Sequence, residues 1–355
     1  MDHLILPERF KIKMYALALS GIMQALVLHG PRNLRFEDVQ DSNPQAGWVK
    51  LKVRYVGICG TDKAVYNGSY RLRRLPIVLG HEVSGEVVDI GEGVSRDLLG
   101  SGVTTEINVN CRSCWYCRNG MPEHCPYRET IGLSINGGMA EYLLTRSDLL
   151  HRIDGLSWQQ GAFVEPLAAV LKAVVIKKPA PQSNIAIIGI GTIGLLSIQV
   201  MRLFDPACIV AVIREGSPKA DLARSFGAHV LTYEEAFEFA RRETPEGLGF
   251  DYVIEATGNP NGLNRAIRLV RPRGVVIAKS THGESTSLDY TDLVVREISI
   301  IGSRCGPFDR AIELLRKGYV RIDDLITSIY RLERGDEAFK RSLERDQVKV
   351  LLEVV

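Results

Sequence analysis

Six apolar runs separated by amphipathic stretches fill residues 184–303, and this alternation leaves few folds open. The runs cover 184–190, 208–213, 229–233, 251–257, 274–280 and 298–303. Strands that are apolar on both faces belong in a sheet covered on both sides, and strands linked through helices run parallel. Right-handed crossovers divide those helices between the two faces. The expected class is α/β, with a doubly wound parallel sheet of six strands. Residues 308–318 read as its last helix, with Gly318 as the stop.

The first run enters Gly189-x-Gly191-x-x-Gly194, and a helical pattern follows from Leu195 to Leu203. A glycine triplet between a strand and a helix is a dinucleotide fingerprint. Gly189 makes the tight turn, Gly191 lets backbone approach a pyrophosphate, and Gly194 lets helix and strand touch. Thr192 and Ile193 complete the turn, whose unpaired N–H groups suit phosphates. The end of the second strand decides which nucleotide fits. Arg214 stands there, twenty residues beyond Gly194, where an NAD site favours a carboxylate. A cation attracts a 2′-phosphate, and Ser217 and Lys219 add donors, so NADP is expected to be preferred over NAD. The competing reading leaves Arg214 as a solvated charge and gives the ribose to Glu215.

Upstream the texture is different. Short alternating segments such as 48–56 and 82–90, divided by Gly, Asn and Pro turns, indicate a β-rich unit. The break falls at 177–183, and mixed texture returns from Tyr319 to an apolar tail at 348–355. The expected division is an N-terminal extension over 1–22, a β-rich unit over 23–177 and 319–355, and a nucleotide-binding unit over 178–318. Lys11 and Lys13 precede an apolar run at 14–28 that superficially resembles a secretion signal. Residues 24–28 also read as a first strand, which cleavage would damage, so an extension with Met23 opening the domain is the preferred reading. The 44 basic and 42 acidic residues leave a net charge of +2, and no block of like charge suggests a nucleic-acid partner. No stretch is long enough to span a bilayer.

Four of the seven cysteines form Cys111-x2-Cys114-x2-Cys117-x7-Cys125. Four soft ligands at this spacing suit a closed tetrahedral site for a structural zinc ion. An iron–sulfur cluster or a redox pair would use the same ligands, but the nucleotide context argues against them. Cys208 and Cys305 lie in apolar surroundings and read as packed thiols. A more dispersed set comprises Cys59, His81, Glu82 and Glu165. One thiolate, one imidazole and one carboxylate leave zinc near neutral, and a catalytic zinc keeps one position open. Taken singly, the same residues are a core thiol, a turn histidine and a helix-start carboxylate.

In combination these motifs are specific. Gly57-Ile-Cys59-Gly-Thr61-Asp62, Gly80-His81-Glu82, the four-cysteine lobe, residues 137–142, Val164-Glu165-Pro166 and the glycine triplet occur in this order. The chain resembles a zinc-dependent medium-chain dehydrogenase of the alcohol dehydrogenase superfamily from Met23 to Val355. The resemblance implies a GroES-like catalytic domain beside a Rossmann domain, with the cofactor between them. It implies that Cys59, His81 and either Glu82 or Glu165 hold a catalytic zinc. Glu165 in a Glu-Pro pair resembles the polyol, threonine and glucose dehydrogenase branches. The implied reaction moves a hydride between NAD(P) and a secondary alcohol, polyol or sugar hydroxyl. Thr61 would take the hydroxyl proton, and Asp62 would hold the other nitrogen of His81. Many relatives end the relay on a histidine five residues after the ligand cysteine, where this chain has Ala64. Water, Lys63 or Tyr66 must then serve.

Thr257 and residues 303–306 should end strands on the cofactor side. Asn67, Asn136 and Glu82 are candidates for hydrogen bonds to a polyol or sugar, or plain turn residues. A zinc-free quinone or enone reductase, or a non-catalytic nucleotide-binding relative, is the alternative. The family implies a homodimer or homotetramer, and unpaired thiols suit the cytoplasm.

Overall fold

The structure is a computed structural model, and it describes residues 19–355. Lys11, Lys13 and the start of the following apolar run lie outside the described residues. The strand Leu19–Gly30 begins four residues ahead of Met23 and pairs antiparallel with Asn33–Ser42.

The six apolar runs form one parallel sheet. Its spatial order is His229–Thr232, Cys208–Ile213, Asn184–Ile188, Phe250–Glu255, Val270–Ala278, Ser299–Gly302. Alternate residues of each strand feed opposite layers. Ile185, Ile187, Ile209, Ala211, Tyr252 and Ile254 pack beneath helices Val164–Ile176, Thr192–Arg202 and Phe308–Arg316. Ala186, Ile188, Val210, Val212 and Val253 pack beneath Tyr233–Glu243 and Gly262–Leu269. Both faces are therefore dry, which is why the runs carry no polar alternation. The fifth strand starts at Val270 rather than at the expected 274, because Val270 pairs with Phe250 ahead of an irregularity in the ladder. The chain reverses its direction of travel across the sheet at Asn184–Ile188, and a crevice opens at the carboxyl end of that strand.

The β-rich unit is organised around Trp48–Gly57. This strand pairs with Glu82–Ile90, Tyr142–Arg146 and, from the other end of the chain, Lys349–Glu353. The last strand also runs parallel to Ile326–Arg331. Leu351 lies opposite Gly57, so the carboxyl-terminal segment sits two residues from Cys59 in the ladder's continuation. No helix among the described residues is long and apolar enough to cross a membrane.

Candidate active site

One cleft of about 1760 Å³ is lined from both units, by Cys59, Thr61, His81, Glu82 and Glu165 on one side and Gly191, Thr192, Ile193 and Thr257 on the other. Pockets for a single small ligand run from roughly 300 to 1,000 Å³, so this one has room for a dinucleotide and a substrate together.

The glycine triplet behaves as its chemistry requires. Gly189 has φ +90, and a Cβ there would meet the Ala256 carbonyl at 2.7 Å. A Cβ on Gly194 would lie 1.9 Å from the Gly189 carbonyl oxygen, so helix and strand touch through it. A Cβ on Gly191 would meet nothing within 4 Å, and that face is open to the cleft. Gly191 caps helix Thr192–Arg202. The Thr192 hydroxyl donates to the Val348 carbonyl at 2.8 Å, so that side chain ties the helix to the carboxyl-terminal segment and leaves the helix N–H groups for a phosphate. The Thr257 hydroxyl is likewise committed, donating to buried Glu255 at 2.6 Å. Of the two basic residues named for nucleotide choice, Lys219 lines the cleft. Arg214 lines a separate, smaller depression with Glu215, Tyr233 and Arg265.

The dispersed set converges at the other wall. Cys59 precedes helix Gly60–Asn67, and its N–H donates to the Asp62 carboxylate at 2.9 Å. Asp62 is fully buried, and its second oxygen lies 3.6 Å from Nδ1 of His81. His81 is reached through Gly80, whose φ is +95 and whose Cβ would strike Met139 and Val56 at 2.7 and 2.8 Å. Only glycine lets the chain pass there. Burial pulls the His81 imidazole down, but Asp62, the Cys59 sulfur and Glu165 together hold it well above its ordinary range. Burial raises the Asp62 and Glu165 carboxyls.

The two glutamates differ. Both Glu82 oxygens accept from Lys349 Nζ, at 2.7 and 2.5 Å. Glu165 stands in the first turn of Val164–Ile176, is 8% exposed, and makes no hydrogen bond or ion pair among the described residues. Thr61 lines the cleft, and its hydroxyl makes no hydrogen bond among the described residues. Lys63 lines the cleft too, with its ammonium donating to the Ser342 carbonyl at 2.8 Å and burial drawing it down to about 8. The Tyr66 hydroxyl points away, to Asp336 at 3.1 Å, and its ring packs on Phe339. Asn136 lines the cleft but accepts from the Val78 N–H, and Asn67 lies outside the lining.

Two sets of side chains have the chemistry to hold a metal. The sulfurs of Cys111, Cys114, Cys117 and Cys125 lie within 4.8 Å of one another, the only such group among the described residues. Measured pairs are 3.5 and 4.0 Å apart, against about 3.8 Å across a zinc tetrahedron with bonds of 2.3 Å. The Cys114 N–H donates to the Cys111 sulfur at 3.3 Å. Burial raises the Cys111 thiol, but donors from Ser113 and Cys114 outweigh it and bring the thiol to about 6, whereas burial and its neighbours push Cys117 up to about 12. Crowded thiols that lose one proton easily and later ones with difficulty are what a divalent cation neutralises. The set at Cys59, His81 and Glu165 is looser. Its chemistry nevertheless fits zinc: sulfur, nitrogen and oxygen donors, an unpartnered buried carboxylate, and an orphaned Nδ1 facing an orphaned Asp62 oxygen.

Sequence reasoning missed Lys349 and Lys279. Lys349 was legible as a lone cation in an apolar strand, a position that needs an anionic partner. Lys279 bonds Ala169 and Ser303 across the two units, which only the fold reveals.

A GroES-like β-rich unit and a Rossmann sheet, meeting at a cleft with zinc-type donors, define a dinucleotide-dependent metal dehydrogenase. Residues 45–155 match the alcohol dehydrogenase GroES-like domain, and residues 158–354 match the glucose dehydrogenase C-terminus. The chain is 36% identical to D-arabitol-phosphate dehydrogenase of Enterococcus avium, over 86% of this chain and 89% of that one. It is 29% identical to the sorbitol dehydrogenase of Halalkalibacterium halodurans, over 93% and 99%. A structure described as a zinc-binding dehydrogenase from Sinorhizobium meliloti 1021, bound to NADP, superimposes with a TM-score of 0.86 at 29% identity, covering 94% of this chain and all of that one. The chain belongs to the zinc-dependent medium-chain dehydrogenases of the alcohol dehydrogenase superfamily, and its relatives include polyol and sorbitol dehydrogenases. It is an NAD(P)-dependent oxidoreductase of alcohol or polyol hydroxyls, and neither the zinc-free reductase nor the non-catalytic reading is favoured.

Proposed function

We propose that the chain oxidises a polyol or sugar hydroxyl with a catalytic zinc on Cys59, His81 and Glu165, a structural zinc on the four-cysteine lobe, and NADP preferred over NAD. The observation that carries this reading is Glu165, a buried carboxylate without a partner beside His81 and Cys59 in the cleft that Gly191 also lines. Glu82 is the weaker ligand candidate, because Lys349 engages both its oxygens. Zinc held there would supply a Lewis acid that lowers the pKa of a substrate hydroxyl, and a nicotinamide bound beside it would supply the hydride acceptor. Thr61 takes the hydroxyl proton. Lys63, which lines the cleft, continues the relay in place of the missing histidine, since Tyr66 is turned toward Asp336. Asp62 keeps the His81 proton on Nδ1 and so frees Nε2 as a donor atom. Backbone N–H groups at Gly191, Thr192 and Ile193 hold the pyrophosphate, with Gly189 and Gly194 shaping the turn, Thr257 on the nicotinamide side and Lys219 and Arg214 toward the adenosine.

In this reading the catalytic domain is 23–177 with 319–355, the Rossmann domain is 178–318, and residues 1–22 are an N-terminal extension. The working unit is a homodimer or homotetramer in the cytoplasm; seven unpaired cysteines support a reducing compartment. The test is a metal count with turnover. Cys59→Ala should lose one zinc and all turnover on polyols yet bind NADPH as before. Full turnover in a Cys59→Ala protein lacking that metal would overturn the mechanism.

A further inference from the structure

Two arginines, Arg128 and Arg304, line the cleft from opposite units. Arg304, just past the last Rossmann strand, lines the cleft, and its Nη2 donates to Asn108 Oδ1 at 3.4 Å. The Asn108 amide donates in turn to the Cys305 sulfur at 3.2 Å. Asn108 pairs with Thr130 in a short ladder, and Arg128 stands two residues before Thr130. Arg128 lines the same cleft, donates from Nη1 to the Cys125 carbonyl at 3.1 Å, and has a buried Nε with no partner.

Among the described residues neither guanidinium meets a carboxylate. Asp41, Glu82, Glu129, Glu165 and Glu284 also line the cleft, and none bonds to Arg128 or Arg304. A half-buried guanidinium without an anion is costly, and a buried N–H without an acceptor calls for an explanation. Arg71, Arg73 and Arg74 stand on the exposed rim and add positive potential that draws an anion inward.

The position fixes what the anion is attached to. Ser303, next to Arg304, accepts from Lys279 Nζ at 3.0 Å, and the same ammonium donates to the Ala169 carbonyl at 2.6 Å. Ala169 lies one helical turn beyond Glu165. Gly306 is pressed so closely on that helix that a Cβ would fall 1.8 Å from the Ala168 carbonyl. Arg304 therefore belongs to the Glu165 end of the cleft, whereas Arg214 occupies its own depression at the second strand. The coenzyme phosphates have the glycine turn and Lys219 already.

We propose that Arg128 and Arg304 form an anion subsite for the phosphoryl group of the substrate, so that the alcohol oxidised is a phosphorylated polyol. The proposal rests on the dehydrogenase reading above and names its substrate class. Two guanidinium forks on separate loops suit a tetrahedral dianion, which offers oxygens in several directions, better than a planar carboxylate.

Steady-state rates should be compared for galactitol 1-phosphate with galactitol, and for D-arabitol 5-phosphate with D-arabitol, in the wild type, Arg304→Gln and Arg128→Lys. D-Gluconate tests a carboxylate as the anion. Binding is read separately, as the rise in melting temperature that each phosphate ester causes in the NADPH complex. The wild type should favour the phosphate esters in kcat/KM. Arg304→Gln should lower kcat/KM for the esters roughly tenfold to a hundredfold more than for free polyols, the range for losing a charged hydrogen bond, and abolish the melting shift. Equal rates on esters and free polyols, equal losses on both in the variants, or gluconate matching the esters would overturn the phosphate assignment. Failure to turn over any alcohol would sink the dehydrogenase reading instead, and the melting shift would then decide the anion subsite by itself.

Discussion

Lys349 Nζ bonds both oxygens of Glu82, at 2.7 and 2.5 Å, and each residue is only 2% exposed. The pair joins the last strand of the chain to the residue after His81. A buried ion pair is weak grounds for stability in itself, but removing one partner leaves an uncompensated charge. Lys349→Met should therefore destabilise the protein by about 3–5 kcal/mol. Lys349→Met combined with Glu82→Gln should recover part of that loss. Urea unfolding midpoints measure both, and an additive double variant would show that the two residues do not act as a pair.

The glycine triplet separates folding from binding. Gly194→Ala forces a methyl group onto the Gly189 carbonyl and should cost about 1–3 kcal/mol of stability, as overpacking does. Gly191→Ala meets open space in the protein, so its melting temperature should match the wild type while its affinity for NADPH falls. Fluorescence titration of NADPH, beside thermal melts, checks both. A Gly191→Ala protein with normal affinity would mean that the pyrophosphate passes elsewhere.

His151 links the two units. Nδ1 lies 2.6 Å from Asp309, at the start of the last Rossmann helix, and Nε2 lies 3.0 Å from Glu106 in the β-rich unit. Burial lowers the imidazole, but Glu106 and Asp309 outweigh it, and the net shift is upward. A group whose pKa is raised on folding stabilises fully below its unfolded value, about 6.5 for histidine, and loses that contribution as pH rises through the folded value. His151→Gln should be less stable than the wild type in mildly acidic buffer, and the gap should close in alkaline buffer. Solvent reaches Asp309, so the gap should stay within about 1 kcal/mol. Melts across pH would contradict this if the gap widened with alkalinity.

In the proposed reading coenzyme choice rests on Arg214, whose depression also holds Glu215. Arg214→Ala should lower kcat/KM for NADP and leave that for NAD nearly unchanged, whereas Glu215→Gln should hurt NAD more. A wild-type preference for NAD that survives Arg214→Ala would assign the ribose to Glu215.

The periodicity of the chain was enough for the Rossmann half. Residues apolar on both faces in six strands, with a glycine triplet after the first, admit one topology, because right-handed crossovers and the need to bury both faces remove the others. The four-cysteine spacing was equally sufficient to bring its sulfurs together, since they are neighbours in sequence and need only a local loop. The dispersed set required the fold. Nothing along the chain says that Lys349 neutralises Glu82 and leaves Glu165 without a partner, because those three residues meet only when the last strand pairs beside Gly57. Nor does spacing reveal that Arg128 and Arg304 line one cleft, or that the Tyr66 hydroxyl is taken up by Asp336 while Lys63 lines the cleft. Short-range pattern encodes backbone geometry; which charges are compensated, and which are left facing a ligand, is decided by contacts between residues hundreds of positions apart.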